Sequence, residues 1–515
     1  MTLTSPEPGT PEHWAKTRPT AVAVIDGDDE LTYGQWNDMA DRVAEGLAQH
    51  GLGAGDRLGM RFRLGIEWFV IQRALQKLEV AHVAVNWRLT PDEAIYILRD
   101  SQAKGLACND SAADSWYGHD TGLLITVGQP AGTPGLRYED LLETRPAEPR
   151  FGPLRPSLVL YTSGTTGRPR GVPPLDMAQI TDVDRLMRYA ASVSAVPPTA
   201  AGAVVLLALP IHHGAGPAAA TSACANGGTV VLLDPFDAET ALQLIERHAV
   251  QVWTAVPTML LRIQALPEAV LEKYDLSSLR VLSTGAAPVP QSLKEWITHR
   301  LGDDVLWEAY GASEVGMITY LSPEAQLTKP GTSGLPYDGV EIAIVDEDWN
   351  RLPVGQTGEI AVNTPMGFRR YLGGKDLGAE VIHDGFYRTG DIGHLDEGGY
   401  LYITDRVKDM IVAGGVNIYP AEIEKALVAH PRVIDAAVIG IPHDDFGEQP
   451  MAFIVAAPDS RPSPDDLLSF LDGRLASYKK PRRFTFVDEL PLNPSGKILK
   501  TELREPFWRE HDRNV

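Results

Sequence analysis

The sequence predicts an α/β protein: a large N-terminal domain of doubly wound α/β subdomains with a small barrel-like β subdomain, then a small, separate α/β C-terminal domain. Length is the first reason, because 515 residues exceed what one hydrophobic core organises. The second is the alternation of amphipathic helices with short apolar strands up to about residue 320, the pattern of layered parallel sheets. A change of texture is the third. From about Gly331 to Tyr402 short strands are separated by Gly, Pro, Asp and Asn, and after Asp405-Arg-Val-Lys408 a new mixed unit begins. The expected boundaries are 1–404 for the N-terminal domain, with its β subdomain at about 326–404, and 405–515 for the C-terminal domain.

Leu31 to His50 has apolar residues at helical spacing, with Thr32 as the N-cap. Glu67 to Leu78 reads as a second helix and Val80 to Val85 as the strand after it. Thr90-Pro-Asp-Glu93 has the form of a capped helix start, with Pro in the first turn. Ser157 to Leu160 reads as the end of a buried strand, and Ala203 to Ile211 as another. In the β region the strands are expected at Val340–Val345, Gly358–Val362 and Tyr400–Ile403. Beyond it, helices are expected at Pro420–His430 and Pro464–Leu475, with strands at Val433–Ile441 and Met451–Val455.

The composition is that of a globular protein, with 44% hydrophobic and 22% charged residues. A formal net charge of −22 argues against nucleic acid or anionic membrane as a bulk partner. An anionic substrate must then be held by local cations, backbone donors or a metal. Cys108 and Cys224 are far apart, build neither a disulfide framework nor a zinc spacing, and fit a reducing cytoplasm. Met1 to Pro19 contains no apolar stretch of a secretory signal, and no run is long enough to span a bilayer. The expected location is cytoplasmic, without an integral membrane segment, and a homodimer is left open.

The most informative string is Tyr161-Thr-Ser-Gly-Thr-Thr-Gly-Arg-Pro-Arg-Gly-Val172. Its glycines let backbone N–H groups approach an anion, its hydroxyls donate, and its arginines neutralise charge. It matches neither G-x-x-x-x-G-K-S/T nor G-x-G-x-x-G. A polyphosphate is the ligand this chemistry suits.

Several further strings occur in a fixed order: Ser283-Thr-Gly-Ala-Ala-Pro288, Trp307-Glu-Ala-Tyr-Gly-Ala-Ser-Glu314, Tyr387-Arg-Thr-Gly-Asp391, Asp405-Arg406 and Pro491-Leu-Asn-Pro-Ser-Gly-Lys497. With the loop, they identify a chain that resembles the adenylate-forming superfamily, and within it the acyl- and aryl-CoA synthetases. The resemblance runs from Leu31 to Lys497. It implies ATP, Mg2+ and coenzyme A as cofactors and co-substrates, and a carboxylic acid as the small-molecule partner. It also implies a C-terminal domain that moves about a hinge near Lys408.

Carried over residue by residue, the resemblance makes Thr162, Ser163, Gly164, Thr165, Thr166, Gly167, Arg168 and Arg170 the clamp on the β- and γ-phosphates. Gly285, Ala286, Ala287, Tyr310 and Gly311 would meet the adenine, and Ser313 the α-phosphate. Glu314, with Thr162, would bind magnesium, which takes hard oxygen ligands. Asp391 would accept from the ribose hydroxyls, with Arg406 as a second contact. Gly414 and Gly415 would line the pantetheine tunnel, and Lys479, in the basic run Tyr478 to Arg483, would meet the coenzyme A phosphates. Lys497 would bridge the carboxylate and α-phosphate during catalysis, alongside Glu314 and His213. The loop departs from the family pattern in having Arg168 and Arg170 where lysines are usual. Pro173-Pro-Leu-Asp176 stands where a Ser/Thr-His pair is usual.

Leu209-Pro-Ile-His-His-Gly-Ala-Gly216 resembles the substrate-side string, with His213 closing the carboxylate side. On a strand, His212 and His213 would face opposite ways and could not chelate one metal. The implied pocket wall is Gly214, Ala215, Thr254, Thr284, Ala309, Gly311, Gly316 and Met317. Ala218-Ala-Ala-Thr-Ser222 follows where amino-acid-activating relatives place an Asp, which favours a neutral acyl or aryl acid. The expected function is an ATP-dependent carboxylate–CoA ligase for a medium-chain or aromatic acid, working through an acyl-adenylate. The alternatives are a non-CoA acceptor (an amine, a carrier-protein thiol or a small oxyacid) and an inactive binding homologue.

Overall fold

A computed structural model describes residues 5–109, 116, 121–130, 134–154, 157–162, 169–287, 289–374, 376–413, 416–443, 446–457, 460–492 and 498–509. The chain divides into two compact units. The first is Met1–Pro330 with Tyr337–Gly339 and Thr364–Glu380; the second is Gly331–Pro336, Val340–Asn363 and Val381–Val515. The β strands from Glu341 onward thus group with the C-terminal segment.

Two largely parallel sheets organise the first unit, as the alternating pattern predicts. In one, Leu306–Ala312, Val281–Gly285, Val252–Ala255, Val204–Leu207, Thr229–Leu232 and Val22–Asp26 lie side by side and parallel. Antiparallel Gly316–Leu321 and Asp29–Thr32 flank them. The winding changes direction at Val204–Leu207, which lies between the two strands that follow it in the chain, Thr229–Leu232 on one side and Val252–Ala255 on the other. In open α/β sheets such a switch point opens a crevice at the carboxyl ends of the strands. The other sheet runs Leu136–Arg137, Leu123–Thr126, Gly105–Cys108, Arg57–Arg61, Ala81–Ala84, Leu158–Thr162, all parallel, with Arg170–Val172 returning antiparallel at the edge.

Local signals set the helices. Thr32 caps Tyr33–Gln49 in a capping box with Gln35, and Thr90 caps Pro91–Asp100 in another with Glu93. The helix Ile66–Lys77 is buried from Trp68 to Lys77, charged residues included. Arg73 donates to Glu12 at 2.9 Å and Lys77 pairs with Asp41 at 2.7 Å, which is how a buried helix can carry two cations. The expected strand Ala203–Ile211 is shorter, Val204–Leu207, because Pro210 has no N–H for the ladder and the chain turns there.

In the second unit, Glu341–Val345, Gly358–Asn363, Phe386–Leu395, Ile382–His383 and Leu401–Arg406 form an antiparallel sheet. A second sheet joins Val416–Ile418, Ile411–Ala413, Gly447–Ala456 and Val433–His443, with Arg483–Val487 parallel to Gly447–Ala456. Helices Pro420–Val428 and Pro464–Leu471 bury Ile423, Leu427, Leu467 and Leu471 against it. Among the described residues no helix is long and apolar enough to cross a membrane.

Candidate active site

The phosphate-type string forms a hairpin. Leu158–Thr162 ends the second sheet and Arg170–Val172 returns beside it, with Tyr161 opposite Gly171 and Thr162 opposite Arg170. Thr162 and Arg170 are therefore the paired ends of two strands. Ser163, Gly164, Thr165, Thr166, Gly167 and Arg168 lie outside the described residues. A side chain at Gly171 would stand 2.9 Å from Leu372 Cδ1 and 3.0 Å from Tyr161 Cζ, so this glycine serves the packing of the hairpin. Tyr161 donates its phenol to Asp100 Oδ2 at 2.7 Å, and Tyr96 donates to the Pro169 carbonyl at 3.1 Å. Burial and the Asp100 carboxylate raise the Tyr161 phenol well above its ordinary range.

A second hairpin carries Glu314. Leu306–Ala312 pairs with Gly316–Leu321, Gly311 opposite Met317 and Ala312 opposite Gly316, so Ser313, Glu314 and Val315 form the turn. Gly316 has φ +78, and a side chain there would press on the Tyr189 hydroxyl at 2.7 Å. That hydroxyl accepts from Met317 N at 2.8 Å and donates to Met317 O at 3.0 Å. Gly316 and Met317, expected in the pocket wall, are thus also the locked base of the hairpin.

The two hairpins meet at the carboxylate. Glu314 Oε1 accepts from Thr162 Oγ1 at 3.3 Å and from the Tyr371 hydroxyl at 3.1 Å. The Arg170 guanidinium lies over the Tyr371 ring, 5.3 Å from its centroid. Next door, Leu372 N donates to the Gly171 carbonyl at 2.8 Å. Sequence reasoning did not find Tyr371, because a single tyrosine in the polar stretch after Gly367 carries no period or spacing. A carboxylate and a hydroxyl brought together are hard oxygen donors of the kind magnesium accepts. Magnesium is usually held by one or two carboxylates plus substrate phosphates. Among the described residues no group of three or more His, Cys, Asp or Glu is gathered as for an all-protein metal cage.

Sheet register sorts the expected pocket residues. Thr254 is paired with Ser283, and Gly285 with Ala309, which puts Thr254 and Ala309 on one face. Thr284 is paired with Ala255 and Glu308, on the opposite face, and is buried. Glu308 there forms an ion pair with buried Lys294; burial pushes its carboxyl up and the lysine opposes this. A side chain at Gly285 would collide with the Ala309 carbonyl, so close strand approach requires this glycine. Ala286, next along, is a non-glycine residue at φ +65, a sparsely populated conformation at the strand's carboxyl end. Tyr310 is half-buried on its strand and Ala287 follows Ala286 in the bend.

His212 and His213 are in the turn after Val204–Leu207, not on a strand, so the alternation expected of a strand does not apply to them. Their rings lie 4.7 Å apart. His212 is buried, neither ring nitrogen has a partner among the described residues, and burial together with His213 and Arg88 pushes it down to about 3. His213 is half-buried one residue before Gly214, which begins the helix Ala215–Ala225 without a side-chain cap; Ala215 and Ala218 on that helix are exposed.

In the second unit Asp391 and Arg406 stand opposite each other on neighbouring strands, Asp391 Oδ1 accepting from Arg406 Nε at 2.9 Å. Asp405 accepts from its neighbour Arg406 N at 2.7 Å and from Ala421 N at 2.9 Å, tying the strand end to the helix Pro420–Val428. Burial pushes Asp405 up to about 6, against the pull of Lys500. Lys408 sits on a single 3-10 turn, its carbonyl accepting from Arg504 at 3.1 Å, and burial lowers its ammonium. Lys479 pairs with Glu422 at 2.6 Å. Gly414, Gly415 and Lys497 lie outside the described residues.

The AMP-binding enzyme family matches residues 11–372, and the AMP-binding enzyme C-terminal domain matches 422–497. A fatty acid–[acyl-carrier-protein] ligase, ScoC, of Streptomyces coeruleorubidus is 35% identical, covering 97% of this chain and 96% of its own. A feruloyl-CoA synthase of an Amycolatopsis species is 34% identical, covering 96% and 98%. Among solved structures, the o-succinylbenzoate CoA synthetase of Bacillus subtilis, in complex with its acyl-adenylate intermediate, is similar. Its TM-score is 0.82 and its identity 29%, covering 96% of this chain and 98% of that one.

Proposed function

The chain belongs to the AMP-binding enzyme family, and on that premise we propose that it ligates a carboxylic acid to coenzyme A through an acyl-adenylate. An oxygen of the acid attacks the α-phosphorus of ATP and pyrophosphate leaves. The thiol then attacks the acyl carbonyl and AMP leaves. The observation that carries the reading is the convergence of Thr162 and Tyr371 on Glu314.

Catalysis of such a displacement is positioning and charge stabilisation. Thr162 and Arg170, with the residues between them, hold the outgoing phosphates. Glu314 and Thr162 would hold a magnesium ion, which would supply neutralisation of the triphosphate charge. Asp391 and Arg406 take the ribose, and Lys497 bridges the carboxylate and α-phosphate. His213 and Gly214 close the carboxylate end of the acyl pocket. Thr254 and Ala309 leave room on their sheet face, and the exposed Ala218 puts no charge where an ammonium would need one. A medium-chain or aromatic acid is the substrate class these residues suit.

A carrier-protein thiol is the second reading, favoured by the similarity to ScoC. One assay matrix separates the two: purified protein, ATP, magnesium and a panel of acids, with coenzyme A, a carrier protein or neither. AMP release requiring both acid and coenzyme A is the expected result. AMP release stimulated only by the carrier supports the second reading. Turnover with no acid under any condition sinks both.

A further inference from the structure

Tyr371 touches both arms of the candidate site, Glu314 on one and Arg170 on the other. It belongs to Thr364–Glu380, a segment of the first unit, whereas the strands before and after it, Gly358–Asn363 and Ile382–His383, belong to the second. The chain makes an excursion, and the excursion is pinned at the phosphate hairpin by the Leu372 N–Gly171 O bond, one residue from Tyr371. Phe368 packs edge-on against the Tyr371 ring at 5.2 Å, which limits its rotation.

We infer that Tyr371 is a positioning residue for the magnesium–triphosphate end of the site, its hydroxyl fixing Glu314 and its ring carrying Arg170. The inference rests on the adenylation reading above. A glutamate in a three-residue turn has several rotamers to choose from, and ordering it costs entropy. Two hydroxyls donating to one oxygen, Oε1, fix that choice. Arginine at 170 also gains a physical account. A planar guanidinium stacks on an aromatic face, while a lysine ammonium is a compact, strongly hydrated point charge. One ring then sets the spacing between the carboxylate and the phosphate-side cation.

The test is calorimetric binding of a non-hydrolysable ATP analogue to the full chain, in magnesium and in EDTA. Tyr371→Phe removes the donor to Glu314 and keeps the ring. It is expected to weaken binding about tenfold in magnesium, the scale of one hydrogen bond to a charged group, and to leave binding in EDTA unchanged. Arg170→Lys is expected to weaken binding several-fold, on the order of a cation–π contact. That effect should shrink when Tyr371→Ala is already present, which is the coupling a double-mutant cycle reads. A merely structural strap would lower affinity equally in both conditions, and that result overturns the inference, as does unchanged affinity in Tyr371→Phe. If Tyr371→Phe does not fold, Arg170→Lys alone decides: full affinity in that variant overturns the inference. Failure of the unmodified chain to bind the analogue would instead sink the adenylation reading itself.

Discussion

Glu314 and Asp391 are both carboxylates expected to meet a nucleotide, and the two units treat them differently. Glu314 stands in a turn at the carboxyl end of a parallel sheet and, among the described residues, receives hydroxyl donors from Thr162 and Tyr371. Asp391 stands mid-sheet on an antiparallel pair and already has a counterion, Arg406, at 2.9 Å. The first carboxylate is presented by backbone geometry: Gly316 at φ +78 and the Tyr189 clamp on Met317 hold the hairpin. The second is held by charge: Asp391 is buried while its partner Arg406 is about half exposed, so a ligand that displaced Arg406 would have to replace its bond to the carboxylate. Preparation by fold and preparation by pairing predict different failures.

The largest effect is expected at Glu314. Glu314→Gln keeps the volume and removes the charge; pyrophosphate release should fall by about 10²-fold or more, the scale of losing one preorganised electrostatic group. Wild-type rates at saturating magnesium would mean that the presented carboxylate is idle, and the contrast would collapse. Asp391→Asn should act on binding, raising the KM for ATP about tenfold, the scale of a hydrogen bond to a charged group, with kcat little changed. A drop in kcat at unchanged KM would show that the Asp391–Arg406 pair is part of the chemistry.

The smallest effect is a pH dependence in the second unit. Burial raises Asp405 to about 6, so the folded state favours its protonated form. That contribution to stability is fully present below about pH 4, the unfolded carboxyl range, and is lost as pH rises through about 6. Lys500, Glu424 and Arg406 face the same carboxylate or its backbone, and the lysine opposes the shift. A carboxyl resonance of Asp405 titrating near 6 is expected; a midpoint near 4 would place it with the ordinary surface carboxylates.

Much of this was legible in the chain. Capping boxes at Thr32 and Thr90 act over three residues, so they start the helices Tyr33–Gln49 and Pro91–Asp100 where the sequence says. The alternation of strand and helix implied parallel sheets, and the strings around Thr162, Glu314 and Asp391 pointed to a nucleotide site. What was not legible depends on partners far along the chain. Tyr371 reaches Glu314 across 57 positions and Tyr189 reaches Met317 across 128. Nor could the strings say which face of the sheet Thr284 occupies, because a one-residue change of register moves a side chain to the other face. The histidine pair fell in a turn because Pro210 ended the strand early.

By itself the sequence determined the fold class, the capped helix starts at Thr32 and Thr90 and the chemical vocabulary of the site, since caps, turns and hydrophobic periods are local interactions; the strand expected from Met451 begins at Gly447 instead. Only the tertiary structure decided which groups share a space: Thr162 with Glu314, Arg170 with Tyr371, and Lys294 with Glu308, away from Thr254 and Ala309. Those neighbours are set by strand order and register, which are properties of the whole packed sheet and of no short segment within it.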